Sequence, residues 1–364
     1  MTTAALFIMV LLTGLYLATA MLTAWRYRPR KAGRLAGQPS VTVLRPVCGL
    51  DPSDIETLES SFLLDYPDYD IIFCAARADD PACAALRAMM ALHPARPARL
   101  LIGDDRETGN PKLDNLLKGW PEVEGRFVAM VDANLLLPPD FLETLLLAWT
   151  PDCALVSSPA AGARPENLWG SLECAFLNGH QARWQLSADS LGLGFAQGKT
   201  LFVEKSFLDK AGGLGALGSD LAEDVAFTKL VRAEGKKVRL APHAFVQPIG
   251  RRSFRTVWDR QIRWSRVRRA GFVGLFLLEL TMGFLPPLIA LLIAVPAIWG
   301  IPFVIGWFAV EAALARLAGW PAGPRDITAM VLRDLLLPLI WVATWARRGF
   351  EWRGNAMGLA DDPA

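Results

Sequence analysis

The chain opens on an apolar, uncharged run at 4–25, long enough to span a bilayer as a helix. No basic residues precede it, so it does not read as a cleaved signal peptide. Arg26, Arg28, Arg30, Lys31 and Arg34 follow at once, and by the positive-inside rule the residues after them face the cytosol. The pattern then changes to short β-branched runs alternating with helical periodicity. It predicts strands at 41–46, 69–75, 98–102 and 126–131, and helices at 55–63, 81–92, 110–117 and 141–149. Such alternation predicts a mostly parallel, doubly wound sheet, whose ligands bind outside the carboxyl ends of the strands. One more strand is predicted at 201–204. At 254–269, Phe254, Val257, Trp258 and Ile262 fall at helical spacing, with Arg255, Asp259, Arg263 and Arg266 on other faces. That is an amphipathic helix suited to a membrane interface.

Residues 272–319 are long enough for two apolar spans, with a turn at 296–302. The last apolar stretch, 327–346, is interrupted by Arg333 and Asp334 and contains Pro338, so only 335–346 is uninterrupted, short for a span. A crossing there would place Arg347, Arg348 and Arg353 outside, against the positive-inside rule. A re-entrant or interfacial segment with a cytosolic C-terminus is expected instead. The chain thus divides into an N-terminal transmembrane helix (1–25), a cytosolic catalytic domain (26–250), an interfacial helix (251–270), two transmembrane helices (271–320) and a re-entrant or interfacial tail (321–364).

Composition supports a membrane-bound protein. Hydrophobic residues are 52% of the chain, and there are 13 tryptophans, as expected where rings sit at a bilayer interface. The formal net charge is only +2, so no global field attracts nucleic acid, and no nucleic-acid motif accompanies the local arginine cluster at 251–269. The five cysteines form no CxxC pair and have no histidine at metal spacing. That argues for a reducing compartment and against a zinc site or a disulfide framework.

The candidate chemistry lies at strand ends. Asp79, Asp80 and Asp132 fall where the second and fourth strands stop, and Pro46 opens a Pro/Gly turn after the first. A carboxylate at a strand end can accept from a uracil N–H. Asp132, two residues before Asn134, can hold a hard divalent cation through oxygen ligands, which would neutralise a diphosphate leaving group. Lys112 and Asn115 can reach a base or phosphate from a helix start. Asp140 reads as an N-cap. Further on, Glu223 and Asp224 set two carboxylates side by side, and Arg260-Gln-Ile-Arg-Trp264 lies in the densest arginine cluster. The glycine-rich 211–218 lacks the surroundings of a phosphate loop and reads as a flexible loop that reorders over a sugar.

These residues carry a resemblance. Val41-Thr-Val-Leu-Arg-Pro, Leu64-Asp-Tyr-Pro, Asp79-Asp-Pro-Ala, Gly109-Asn-Pro-Lys-Leu-Asp-Asn-Leu, Val131-Asp, Ala222-Glu-Asp and Arg260-Gln-Ile-Arg-Trp occur in the order and spacing of the ceramide glucosyltransferases, glycosyltransferase family 21. The resemblance covers roughly 40–270 and implies a GT-A α/β domain, a Rossmann-like, mostly parallel sheet with N- and C-terminal transmembrane helices. It implies a UDP-sugar donor, a lipid acceptor such as ceramide, and Mg²⁺ or Mn²⁺. By position, Asp80 resembles the nucleotide-holding aspartate, Asp132 the one at metal and diphosphate, and Asp224 the general base. Arg260, Arg263 and Trp264 match the motif beside diphosphate and acceptor, and Gly198 would let the backbone approach the sugar. Two positions depart: Arg77 stands where animal enzymes carry an acid, and Asn134 replaces the second acid of Asp-x-Asp. His180 is offset from a family histidine. The implied activity is inverting transfer of glucose from UDP-glucose to ceramide at a bacterial inner membrane. Transfer to diacylglycerol or a hopanoid, or an inactive lipid-binding relative, are the alternatives.

Overall fold

The protein is described from a computed structural model that defines residues 2–28, 37–104 and 106–346, and the backbone of 350–352 and 355–357. Arg30, Lys31 and Arg34, and Arg347, Arg348 and Arg353, on which the expected topology drew, lie outside the described residues.

Nine strands shape the catalytic domain: β1 (Val41–Val47), β2 (Tyr69–Ala75), β3 (Ala98–Ile102), β4 (Phe127–Val131), β5 (Cys153–Ser157), β6 (Ala160–Pro165), β7 (Thr200–Glu204), β8 (Lys237–Leu240) and β9 (Phe245–Gly250). Seven form one sheet in the order β3-β2-β1-β4-β7-β5-β8, while β6 and β9 pair separately. Every pair in the main sheet is parallel except those of β7, which runs antiparallel to β4 and β5. The carboxyl ends of β2, β1 and β4 therefore share one edge, and the reversed β7 brings its amino end to that same edge.

The helices of this domain are α2 (Asp54–Glu59), α3 (Pro81–Leu92), α4 (Pro111–Gly119), α5 (Phe141–Ala148), α6 (Leu168–Ala175), α7 (Arg183–Ser190), α8 (Lys205–Lys210) and α9 (Glu223–Ala233), after the N-terminal α1 (Thr2–Arg26). Strand alternation divides the core. Val43, Ile71, Phe73 and Ala129 pack with α3 and α5 on one face, and Leu44, Ile72, Val128 and Met130 with α4 and α9 on the other. A π-helical segment, Phe176–Ala182, joins α6 to α7. Asp140 precedes α5 as expected, but its side chain makes no cap bond there. The glycine-rich 211–218 is anchored: Leu214–Ser219 forms a 3₁₀ turn with Leu214 and Leu217 buried.

The apolar segments pack as a third core. They are α1 with α10 (Phe254–Gly271), α11 (Val273–Leu278), α12 (Leu285–Ala294), α13 (Gly300–Leu317) and α14 (Pro324–Trp345). Among the described residues three helices are long and apolar enough to cross a membrane: Thr2–Arg26, Ala297–Leu317 and Pro324–Trp345. A fourth apolar unit, Val273–Thr281 with Leu285–Ala294, is bent by 49°. The stretch expected to break at Arg333 and Asp334 is instead an uninterrupted helix of 22 residues. Both charged residues are buried, and Arg333 pairs with Glu311 of α13 at 2.5 Å and with Asp334 at 2.6 Å, which offsets the cost of burying these charges in an apolar helix. The bend belongs to the preceding pair.

The ends of these helices are tied to the catalytic domain. Arg26 donates to buried Asp189 at 2.6 Å and to the carbonyls of Leu240, Ala241 and Pro242. Tyr16 stacks on Trp307 and Tyr27 meets Trp320 edge-on, so α13 runs parallel to α1 and ends beside the domain. From there α14 lies lengthwise along α6 and α10. Arg325 at its start reaches Ser171 and the carbonyls of Pro165 and Glu166, and its last turn takes a bond from Arg269 to the Thr344 carbonyl.

Candidate active site

β4 ends at Val131, paired with Thr200 of β7. The next residue, Asp132, donates its N–H to the Lys199 carbonyl at 3.1 Å. Antiparallel pairing therefore sets Asp132 beside Gly198 and Lys199. The Asp132 carboxylate sits between two ammonium groups, with Lys112 Nζ at 2.7 Å from Oδ1 and Lys199 Nζ at 3.0 Å from Oδ2. Lys199 Nζ also donates to Asn134 Oδ1 at 3.0 Å. Burial alone would raise the Asp132 carboxyl, but the two lysines outweigh it and hold it well below the usual carboxylate range.

Lys112 belongs to the first turn of α4, which Asn110 caps by accepting from the N–H groups of Lys112 and Leu113. Besides Asp132, Lys112 Nζ donates to Glu223 Oε1 at 2.6 Å and to the Gly198 carbonyl at 2.6 Å. Three oxygens thus use the three protons of its ammonium. Burial opposes the charge, and Asp132 with Glu223 more than restores it, so Lys112 is held cationic.

Glu223 and Asp224 start α9, where anions are favoured. They are not a solvated helix start. Glu223 is 6% exposed and takes bonds from Lys112 and from Asn110 Nδ2 at 2.9 Å. Asp224 is half-buried and accepts from the Gly198 N–H at 2.7 Å. Burial first, then the neighbouring Glu223 charge, pushes the Asp224 carboxyl up to about 6, against the pull of Lys112. Two adjacent carboxylates are thereby separated in role: Glu223 is taken up by the Lys112 ammonium and the Asn110 amide, and Asp224 is left as a weak acid able to take a proton near neutrality. Only glycine fits at 198, because a Cβ would lie 2.7 Å from Glu223 Oε1 and 3.0 Å from Lys112 Nζ.

The remaining predicted positions spread along the same sheet edge. Pro46 lies in β1 opposite Cys74, just before the turn to Gly49. Asp80 caps α3 through the Ala82 N–H at 2.9 Å and holds the Gly49 N–H at 2.8 Å, so both its oxygens tie down backbone. Asp79 is exposed and bridged to Arg77 at 2.7 Å. Asn115 is buried and accepts from Lys118, which also holds the carbonyls of Ala75 and Gly103. On α10, Arg260 pairs with fully buried Glu173 at 2.7 Å and lies 5.9 Å from the Trp264 ring. Glu173 first, then burial against it, sets its charge, and Asp51 and Asp132 add to the stabilisation, which places Arg260 within reach of the cluster's field. Arg263 is half-buried one turn further on, and Trp264 packs against the domain core. Two arginines at the end of this cluster are engaged in the protein: Arg268 pairs with Glu279, and Arg269 bonds Thr344 and stacks on Trp345.

Two residues escaped the sequence reading. Lys199 is one. Arg45 is the other: fully buried, it bonds the carbonyls of Thr57, Asp132, Ala133 and Leu135 and Ser61 Oγ, clamping the loop that carries Asp132 and Asn134. Its signal was visible, a lone charge in register with Val41, Val43 and Val47 on the core face of β1.

Among the described residues no three His, Cys, Asp or Glu side chains converge as a metal site. The oxygens of Asp132 and Asn134 still fit a magnesium-like ion, which commonly takes one or two protein oxygens and completes its shell with water and substrate phosphates.

A mixed sheet with one reversed strand, carrying a buried acid-and-ammonium cluster at its carboxyl edge, defines a GT-A glycosyltransferase. The solved mannosyltransferase from Pyrobaculum calidifontis, in complex with GDP-Man and Mn²⁺, superposes with a TM-score of 0.55 at 18% identity, covering 94% of this chain and 99% of that one. The chain belongs to glycosyl transferase family 21, whose model matches residues 5–364. Ceramide glucosyltransferase 3 of Caenorhabditis elegans is 22% identical over 88% of this chain and 73% of its own, and ceramide glucosyltransferase 1 is 26% identical over 66% and 52%.

Proposed function

We propose that the enzyme transfers glucose from UDP-glucose to the primary hydroxyl of a ceramide, with inversion. The observation that carries this reading is Asp224. It is half-buried at the sheet edge, with its proton affinity raised to about 6, beside cations suited to a diphosphate. Asp224 takes the acceptor proton as the hydroxyl oxygen bonds to the anomeric carbon, and the bond from that carbon to the diphosphate oxygen breaks as UDP leaves. Arg260 and Arg263 bind and orient the diphosphate, with planar guanidinium groups matched to its oxygens, while Lys112 stays fixed on Asp132, Glu223 and the Gly198 carbonyl. Asp132 and Asn134 would hold Mg²⁺ or Mn²⁺, which when bound neutralises charge on the diphosphate.

The packing supports the following membrane arrangement. α1, the bent pair 273–294 and α13 cross the bilayer, while α10 and α14 lie side by side in the interface, with the start of α14 held to the catalytic domain and its end to α10. The family relatives' ceramide names and the apolar surface beside the site support a lipid acceptor. On this reading the catalytic domain faces the cytosol, at the inner membrane of a bacterium.

Purified enzyme incubated with a panel of UDP-sugars and of ceramide, diacylglycerol and hopanoid acceptors, read by mass spectrometry, tests this. Glucosylceramide formed only with UDP-glucose and ceramide is the expected outcome. Preferential glycosylation of another lipid overturns the acceptor assignment.

A further inference from the structure

The Asp132–Asn134 pair offers a cation two oxygens, and one cation already lies between them. Lys199 Nζ is 3.0 Å from Asp132 Oδ2 and 3.0 Å from Asn134 Oδ1. The second lysine is held differently. Lys112 Nζ is fixed by Asp132, Glu223 and the Gly198 carbonyl, all at 2.6–2.7 Å. The two ammonium groups are thus unequal: one is locked by three short contacts, the other rests on two longer ones, both made to the oxygens that a divalent ion would need.

Charge sharpens the point. Lys112 and Lys199 together balance Asp132 and Glu223, with Arg260 close enough to feel Asp132. A bare divalent ion entering alone meets two ammonium groups whose charge Asp132 and Glu223 already balance, while Arg260 is paired with Glu173. An ion entering with a diphosphate adds no net charge, and the phosphate oxygens give a displaced ammonium a new partner.

Resting on the reading of Asp132 and Asn134 as the cation seat, we propose that Lys199 is a resident counter-ion of that seat. It occupies the seat while the donor site is empty and swings to the donor diphosphate when metal and nucleotide enter together. Lys199 is then a positioning residue that makes metal binding depend on donor, so the enzyme holds little metal without UDP-sugar.

The test measures Mn²⁺ binding to the detergent-purified full chain, from the electron paramagnetic resonance signal of free Mn²⁺, with and without UDP. For the wild type, UDP should tighten Mn²⁺ by roughly tenfold or more, the scale of a lost charged hydrogen bond. Lys199→Met and Lys199→Gln should bind Mn²⁺ without UDP roughly tenfold tighter than the wild type, and the gain from UDP should shrink. Two variants guard against one that fails to fold, which size-exclusion profiles report. Equal UDP-free affinities in wild type and both variants overturn the counter-ion role. Adding Asp132→Asn separates the two levels of the claim. If it abolishes Mn²⁺ binding while position 199 has no influence, the seat is right and the role of Lys199 is wrong. If Mn²⁺ binding survives Asp132→Asn, the seat itself is wrong.

Discussion

The molecule buries charge in two places, and they are built differently. At the sheet edge, Lys112, Lys199, Asp132, Glu223 and Asp224 form a cluster with an acid left over and an ammonium on two long contacts. Between α13 and α14, Arg333 joins both Glu311 oxygens and Asp334, whose other oxygen accepts from the Phe284 N–H at 3.1 Å. There every carboxylate oxygen has a donor. Gly179 of the π-helical turn presses against it so closely that a Cβ would lie 2.1 Å from Glu311 Oε1. The carboxylate oxygens of the first cluster all have donors too. But it holds in reserve one acid, Asp224, that is bonded only by the Gly198 and Val225 N–H groups, whereas both acids of the second cluster face Arg333. Burial of charge therefore does not by itself mark a reactive site. What marks it is a half-buried carboxylate held by backbone N–H groups and by no cation of its own, at the sheet edge where a ligand binds.

The sharpest break in this comparison is removal of the reserve. Asp224→Asn keeps shape and deletes the proton acceptor, so turnover should fall by about two orders of magnitude or more while UDP-sugar binding persists. Because the folded enzyme resists ionising this residue, the same change should raise neutral-pH stability by about 1–3 kcal/mol. Turnover with purified enzyme, nucleotide titration and thermal unfolding read the three effects. Near-normal turnover would move the base elsewhere.

The closed cluster should break the other way. Arg333→Leu strands two buried carboxylates and should cost roughly 3–5 kcal/mol of stability, with turnover per folded molecule little changed. Replacing Arg333 and Glu311 together by leucine should cost far less, because fewer charges lose their partners. Thermal unfolding in detergent compares the two variants. A catalytic loss without a stability loss would make this cluster part of the active site.

How far each cluster was legible in the sequence follows from the same difference. Asp132, Lys112, Glu223 and Asp224 announced themselves because polar residues at strand ends and helix starts sit where a parallel sheet binds ligands. Lys199 did not, because nothing local shows that the strand after it runs backwards and delivers its amino end to Asp132. Arg333 and Asp334 were read as a break in an apolar stretch, since one segment considered alone cannot hold them. The missing partner, Glu311, lies in the previous apolar segment, and an acid in one against a base in the next was the available signal. Five strands were legible to within a residue, as Tyr69–Ala75 and Ala98–Ile102 are bounded by turn-forming neighbours, but β5, β6, β8 and β9 were not predicted.

pH separates the clusters without mutation. With the Asp224 carboxyl raised to about 6, the base form is lost as pH falls through that value. Turnover should then drop about tenfold per unit on the acid side. Stability carries the opposite sign. A carboxyl raised above its unfolded value near 4 favours the fold at low pH, and that contribution disappears as pH rises through about 6. The Asn variant should show neither trend. A rate profile flat from pH 5 to 8 would remove Asp224 as the base.

The smallest effect concerns the joint between the two regions. Arg269 ends α10, donates to the Thr344 carbonyl at 2.8 Å and lies 4.8 Å from the Trp345 ring, so it holds the last turn of α14 to the catalytic side. A lysine keeps the charge but loses the planar stack and the fork. Arg269→Lys should therefore cost only about 0.5–1 kcal/mol of stability and leave turnover within about twofold. The informative readout is local: a cysteine placed at Ala346 should become easier to label from the catalytic side as the α14 end loosens. Labelling of that cysteine only from the opposite side would mean that α14 crosses the bilayer, and the interfacial placement of this helix would fall.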